Sequence, residues 1–211
     1  MNAYKCLQKG GTGQIEEKKS RFIATVKPVY SEAEATAFIA EMKKKYWDAR
    51  HNCSAFVIGE KSELTRCSDD GEPAGTAGRP MLEVLLSSEI TNICVVVTRY
   101  FGGTLLGTGG LIRAYQSAVK AGLSSCTIVS VVKGTEYTVE TDYNLSGKLQ
   151  FYFNKEDVIV NDTKWLSSVI FTIVLTEDNE KEVLKNIVEL TSAAAVVTKG
   201  NEQEVFIPAE G

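Results

Sequence analysis

The sequence has one histidine and four prolines in 211 residues, and none of its five cysteines are paired as C-x-x-C. Imidazole chemistry therefore has only His51 to use. Cys6, Cys53, Cys67, Cys94 and Cys126 are odd in number and widely spaced, which argues against a disulfide framework and a zinc knuckle; they read as reduced thiols. Uncharged stretches are too short or too glycine-rich to cross a bilayer, so no membrane association is expected. Residues Met1 to Ile15 lack the basic start and apolar run of a secretory signal, which makes the cytoplasm the expected compartment. A strong excess of basic charge is missing as well. Residues 1–127 carry 16 Lys and Arg against 13 Asp and Glu, or +3, while 128–211 carry 7 against 14, or −7. Polyanion binding, if present, belongs to the first half.

What is present reads as two domains, 1–127 and 128–211. In the first, "SRFIATVKPVY" alternates as a strand ending near Pro28, and Ser31 with Glu34 forms a capping box. The helix that follows buries Ala35, Phe38, Ile39, Met42 and Tyr46 and ends in Lys43–Lys45. "RHNCSAFVIG" is the next strand, with His51, Cys53, Ala55 and Val57 on one face. A long polar loop, Ser68 to Pro80, leads to a short helix from Met81 to Ser87. "NICVVVTRY" is a buried strand. Thr108 is the expected cap of a helix carrying Leu111, Ile112, Tyr115, Ala118 and Val119, closed by Gly122. The second half runs strand (128–140), helix (142–153), strand (157–163), strand (167–176), helix (179–190), strand (194–199). That β-α-β-β-α-β order is the ferredoxin-like pattern, with Asp142 and Thr176 or Asp178 as caps. The fold class expected is α+β.

Chemistry concentrates in "VVVTRYFGGTLLGTGGLIRAY", 95–115. A P-loop requires lysine after Gly107, where Thr108 stands; a dinucleotide fingerprint counted from Gly107 requires glycine where Ile112 stands. Two readings remain open. Accessible backbone N–H groups beside a helix start, aided by Arg99, Thr104, Thr108 and Arg113, suit a bound phosphate. The glycines also suit positive φ and close strand–helix packing alone. An anion site here would use Arg99, Tyr100, Phe101, Gly102, Gly103, Thr104, Gly107, Thr108, Gly109, Gly110 and Arg113. A second functional loop would combine His51, Cys53, Asp69, Asp70, Glu72 and Arg79. His51 and Cys53, two apart on one strand, lie parallel rather than convergent, which disfavours a nucleophilic dyad. Asp69, Asp70 and Glu72 are weak candidates for a hard cation, since Asp-Asp-Gly-Glu-Pro is also turn chemistry. No catalytic residue, cofactor or firm metal ligand is expected.

Four stretches in order, "KKSRFIA" (18–24), "RHNCSAF" (50–56), "SDDGEPAGTAGRPML" (68–82) and "VVTRYFGGTLLGTGGLIRAY" (96–115), resemble the IMPACT family in its bacterial YigZ-like branch. The resemblance implies a two-layer first domain like that of a small-subunit ribosomal protein and of domain IV of elongation factor G. The second domain would resemble domain V of that factor. Eukaryotic members are regulators of translation that bind the activator of a kinase responding to uncharged tRNA; they carry an extra domain ahead of the segment that starts here at Ser20. The family-level expectation is binding to nucleic acid or the ribosome.

The function expected is that of a non-enzymatic cytosolic regulator binding RNA or the translation machinery, its arginines pairing with phosphate and Tyr100 or Phe101 stacking on a base. The alternatives are a Mg-dependent enzyme acting on a phosphorylated small molecule and a protein-binding module. The oligomeric state is not legible.

Overall fold

The structure, a computed structural model, describes residues 3–208. The chain is α+β with two domains, separating into compact units over Tyr4–Ser130 and Val131–Ile207. In the first lie β1 (Tyr4–Lys9), β2 (Gly11–Glu17), β3 (Ser20–Pro28), α1 (Glu32–Lys45), β4 (His51–Ile58), β5 (Leu64–Ser68), α2 (Gly78–Ser87), β6 (Ile90–Thr91), β7 (Ile93–Tyr100) and α3 (Thr108–Leu123). A sheet of order β2-β3-β7-β4-β5 is antiparallel throughout, and β1 pairs in parallel with β6.

β7 is central and buried on both faces, which is why its sequence is a continuous β-branched run rather than an alternation. Val95 and Val97 share one face with Phe22, Ala24, Val26, Cys53, Ala55 and Val57, under Met81 and Leu85 of α2 and Leu111 and Tyr115 of α3. Cys94 and Val96 share the other with Phe56 and Ile58, under Ala35, Phe38 and Met42 of α1. Helices thus cover both faces of this sheet. Each large side chain so buried contributes about 1.5–3 kcal/mol.

Several boundaries differ from the sequence-based expectation. β1, β2, β5 and β6 lie outside it, being short, polar or glycine-bearing. Helix α2 begins at Gly78 rather than Met81, because Pro80 in a first turn forfeits only an N–H that has no helical partner. Gly107, at φ 72°, caps α3, so Thr108 is its first helical residue and not its cap. Nor does Gly122 end that helix. A Cβ there would lie 2.9 Å from Val26 Cγ2 and 3.0 Å from Ala24 Cβ, so the glycine lets α3 approach the sheet closely. At α1, Ser31 Oγ accepts from Glu34 N–H as expected, but the Glu34 carboxylate takes the Tyr30 N–H.

β8 (Thr127–Thr141) leads into the second unit, followed by α4 (Tyr143–Lys155), β9 (Ile159–Trp165), β10 (Val169–Thr176), α5 (Glu180–Thr191) and β11 (Val196–Pro208). Element order is β-α-β-β-α-β and strand order β11-β8-β10-β9. Leu149 and Phe153 of α4 with Val183 and Ile187 of α5 close one core against Tyr137, Val139, Phe171 and Ile173. Asp142 caps α4, accepting from Leu145 N–H at 2.9 Å. The N-cap of α5 is Asn179 rather than Thr176 or Asp178; its Oδ1 accepts the Thr176 N–H and turns the chain into the helix.

Candidate functional site

Strand register assembles the site. Arg99 on β7 pairs across to Phe22 on β3 and to His51 on β4, so the cation sits between an aromatic ring and the only histidine. The Arg99 guanidinium lies 5.4 Å from the Phe22 ring and 5.6 Å from that of Phe101. Its Nη1 donates to Glu72 Oε1 at 2.7 Å, and the Tyr115 hydroxyl donates to the same oxygen at 2.9 Å. Arg99 is 7% exposed, and its buried Nε–H has no hydrogen-bond partner.

Behind this pair, Cys53 Sγ lies 3.3 Å from the Tyr115 hydroxyl and 2.9 Å from the Asp69 carbonyl. Burial pushes the Cys53 thiol up to about 12 and the Tyr115 phenol well above its ordinary value. A thiol held neutral is a poor nucleophile. His51 and Cys53 are therefore neighbours without a dyad.

The acidic loop is spent on structure. Asp69 accepts from Gly75, Ala77 and Gly78 N–H at 2.9, 3.0 and 2.8 Å, which caps α2 from eight residues upstream of its N-cap. Asp70, at φ 44°, accepts from Asn52 N–H at 2.7 Å and from Lys43 Nζ at 2.6 Å. With Glu72 committed to Arg99 and Tyr115, the three carboxylates each face their own donors. No group of three or more His, Cys, Asp or Glu among the described residues is arranged to hold a metal ion.

What stays open is a pocket of about 170 Å³ lined by Arg50, His51, Arg99, Phe101 and Leu105. Phe101 and Leu105, 51% and 82% exposed, are its apolar members. No carboxylate lines it. His51 Nδ1 lies 2.9 Å from the Asp70 carbonyl, which can only accept, so this nitrogen is the donor.

Sequence reasoning named Arg99, Phe101 and His51, and the fold brings them together. Arg50 and Leu105 it missed, although Arg50 stands beside His51 in "RHNCSAF". Arg113, exposed on α3, lies outside the lining. Tyr100 donates its hydroxyl to Asp48 at 2.8 Å under the Arg21 guanidinium, and Arg79 pairs outward with Glu83 at 3.2 Å. Among the glycines, Gly103 needs its positive φ of 86°, as Gly107 does. A Cβ at Gly102 would run into the Lys19 backbone, and its N–H donates to Ser20 Oγ at 3.1 Å. Gly109 has open space around it, and Gly110 packs on Leu106. Thr104 and Thr108 are exposed beside them.

The Impact N-terminal domain matches residues 18–123, which span every element from β3 through α3. The chain belongs to the IMPACT family. It is 38% identical over 200 residues to the IMPACT family member YvyE of Bacillus subtilis, covering 95% of this chain and 92% of that one. With the IMPACT family member YigZ of Escherichia coli it shares 38% identity across 76% of its own length and 80% of the relative's, placing it in the bacterial YigZ-like branch. Protein IMPACT of Mus musculus is 36% identical over 44% of this chain and 30% of its own. A solved crystal structure of a hypothetical protein is similar with TM-score 0.60 at 33% identity, covering 93% of this chain and 97% of that one. The site lies within the matched domain. No helix among the described residues is long and apolar enough to cross a membrane.

Proposed function

We propose that the protein is a non-enzymatic cytosolic regulator that binds RNA or the translation machinery through the pocket at Arg50, His51 and Arg99. The observation that carries this is the lining itself: two arginines and the sole histidine, no carboxylate, and an exposed aromatic ring at Phe101. Cations beside an exposed ring are the composition that grips a phosphate backbone and stacks an unpaired base. The first half's net +3 is in keeping with that location. The neutral Cys53 thiol is a poor nucleophile, and Asp69, Asp70 and Glu72 are each held by protein donors. Membership of the IMPACT family supports the regulatory part of this reading.

Co-sedimentation with ribosomes across a salt series tests this. Affinity should fall as salt rises, and Arg50→Ala should weaken binding and reduce the log–log salt slope by about 1. Ribosome and RNA affinities that ignore both salt and Arg50→Ala would refute the assignment.

A further inference from the structure

A pocket that binds nucleic acid can meet phosphate in two forms, as a diester within the strand or as a monoester at its end, and the two differ chemically. A diester presents two unbridged oxygens and carries no proton to give. A monoester presents three, and its second ionisation lies near pH 6, so it reaches the protein with a proton in play.

Three side chains of this pocket bear on that difference. Arg50 is exposed and has no carboxylate partner among the described residues. Arg99 is more than nine-tenths buried, is fixed by Glu72 at Nη1, and keeps an Nε–H without a partner. His51 has its Nδ1–H bound to the Asp70 carbonyl, which leaves Nε2 as its uncommitted ring position. A monoester can carry a P–OH with which Nε2 can hydrogen-bond, and a diester cannot. Two arginines and this histidine then match three oxygens. At about 170 Å³ the space holds a phosphate group and leaves the attached nucleoside outside, where Phe101 stands exposed to stack on its base.

We propose that the pocket takes a terminal phosphomonoester, the phosphorylated end of an RNA strand, with Arg50 and Arg99 donating to its oxygens and His51 Nε2 hydrogen-bonded to the third. This rests on the RNA reading above and narrows it from backbone to end.

Because His51 is the only histidine, its Cε1–H resonance is an unambiguous probe. Adenosine monophosphate should move that resonance saturably, and adenosine should not. A short oligoribonucleotide ending in phosphate should bind about tenfold or more tightly than its hydroxyl-ended twin. Arg50→Ala, a change at an exposed position, should remove the preference, and so should His51→Phe. Absence of a saturable shift with adenosine monophosphate overturns the proposal. A shift with twin RNAs bound equally keeps the phosphomonoester chemistry and overturns its RNA source, in favour of a free phosphorylated small molecule. Ribosome co-sedimentation that persists with no such shift separates the two ideas, since the RNA reading then stands and the end-specific one falls.

Discussion

Arg99 Nη1 and Glu72 Oε1 are 2.7 Å apart in an ion pair whose side chains are 8% and 3% exposed. Charges this deep gain from each other but lose their water, so removing one leaves the other uncompensated. Arg99→Met should therefore cost about 3–5 kcal/mol in urea or thermal denaturation. Adding Glu72→Gln should recover more than half of that loss, since glutamine still accepts from Tyr115 without a buried charge. Additive losses in this double-mutant cycle would show that the pair is not coupled.

Cys53 and Cys94 are both fully buried, and burial raises each thiol from an ordinary 9.0 to about 12. The sign follows from which form the fold prefers. A raised thiol pKa means the folded state holds a proton that the unfolded chain releases, so stability is intact below pH 9 and declines as pH rises toward 12. The decline should approach about 1.4 kcal/mol per pH unit for each thiol. Cys94→Ala, measured against the parent on the alkaline side, should flatten it. Cys53 and Cys94 should also resist alkylation at about pH 8, where the exposed Cys67 reacts.

The glycine loop makes a prediction of opposite signs two residues apart. Gly107 sits at φ 72° with open space around it, so alanine there is strained by its backbone alone. Gly107→Ala should destabilise by about 1 kcal/mol or more. Gly109 also has open space but lies within the first turn of α3 at ordinary φ, and Gly109→Ala should be neutral or stabilise by up to about 1 kcal/mol. Equal effects at the two positions would mean the turn tolerates either conformation.

Long periodic segments were legible in the sequence because their faces are decided by burial: α1, β4, β7, α3 and the second half up to α5 appear within a few residues of expectation, whereas β11 runs on to Pro208 from a strand expected to end at 199. β2 was not, because "GTGQIEE" has neither β-branched bulk nor apolar alternation; it is a strand because β3 offers it an edge and because Gly13 lets α3 pass over it, where a Cβ would strike the Ala121 backbone. At the site, the residue types in "TRYFGG" and "RHNCSAF" were visible, but their partners were not. Glu72 reaches Arg99 from 27 residues away and Tyr115 reaches Glu72 from 43, distances at which no periodicity speaks. The acidic loop looked like a possible cation site for the same reason: carboxylates were countable, whereas the backbone N–H groups saturating them exist only after folding.

Asp69 is where that distinction can be measured. Burial pushes its carboxyl up, and the N–H bonds from Gly75, Gly78 and Ala77 outweigh it, holding the group below its ordinary 3.8. A depressed carboxylate contributes stability that is present above the unfolded value and is lost as pH falls through the folded one. Asp69→Ala orphans three N–H groups at the start of α2 and should cost about 2 kcal/mol, the upper end of what a cap contributes. Asp69→Asn keeps one accepting oxygen and should cost less, while removing this group's share of the acid-side loss. Added Mg²⁺ should shift the melting of neither the parent nor the Asp69→Asn variant, because every carboxylate in the loop is already taken by a protein donor. A Mg²⁺-dependent rise that Asp69→Asn abolishes would return the loop to the cation-binding role its composition suggests.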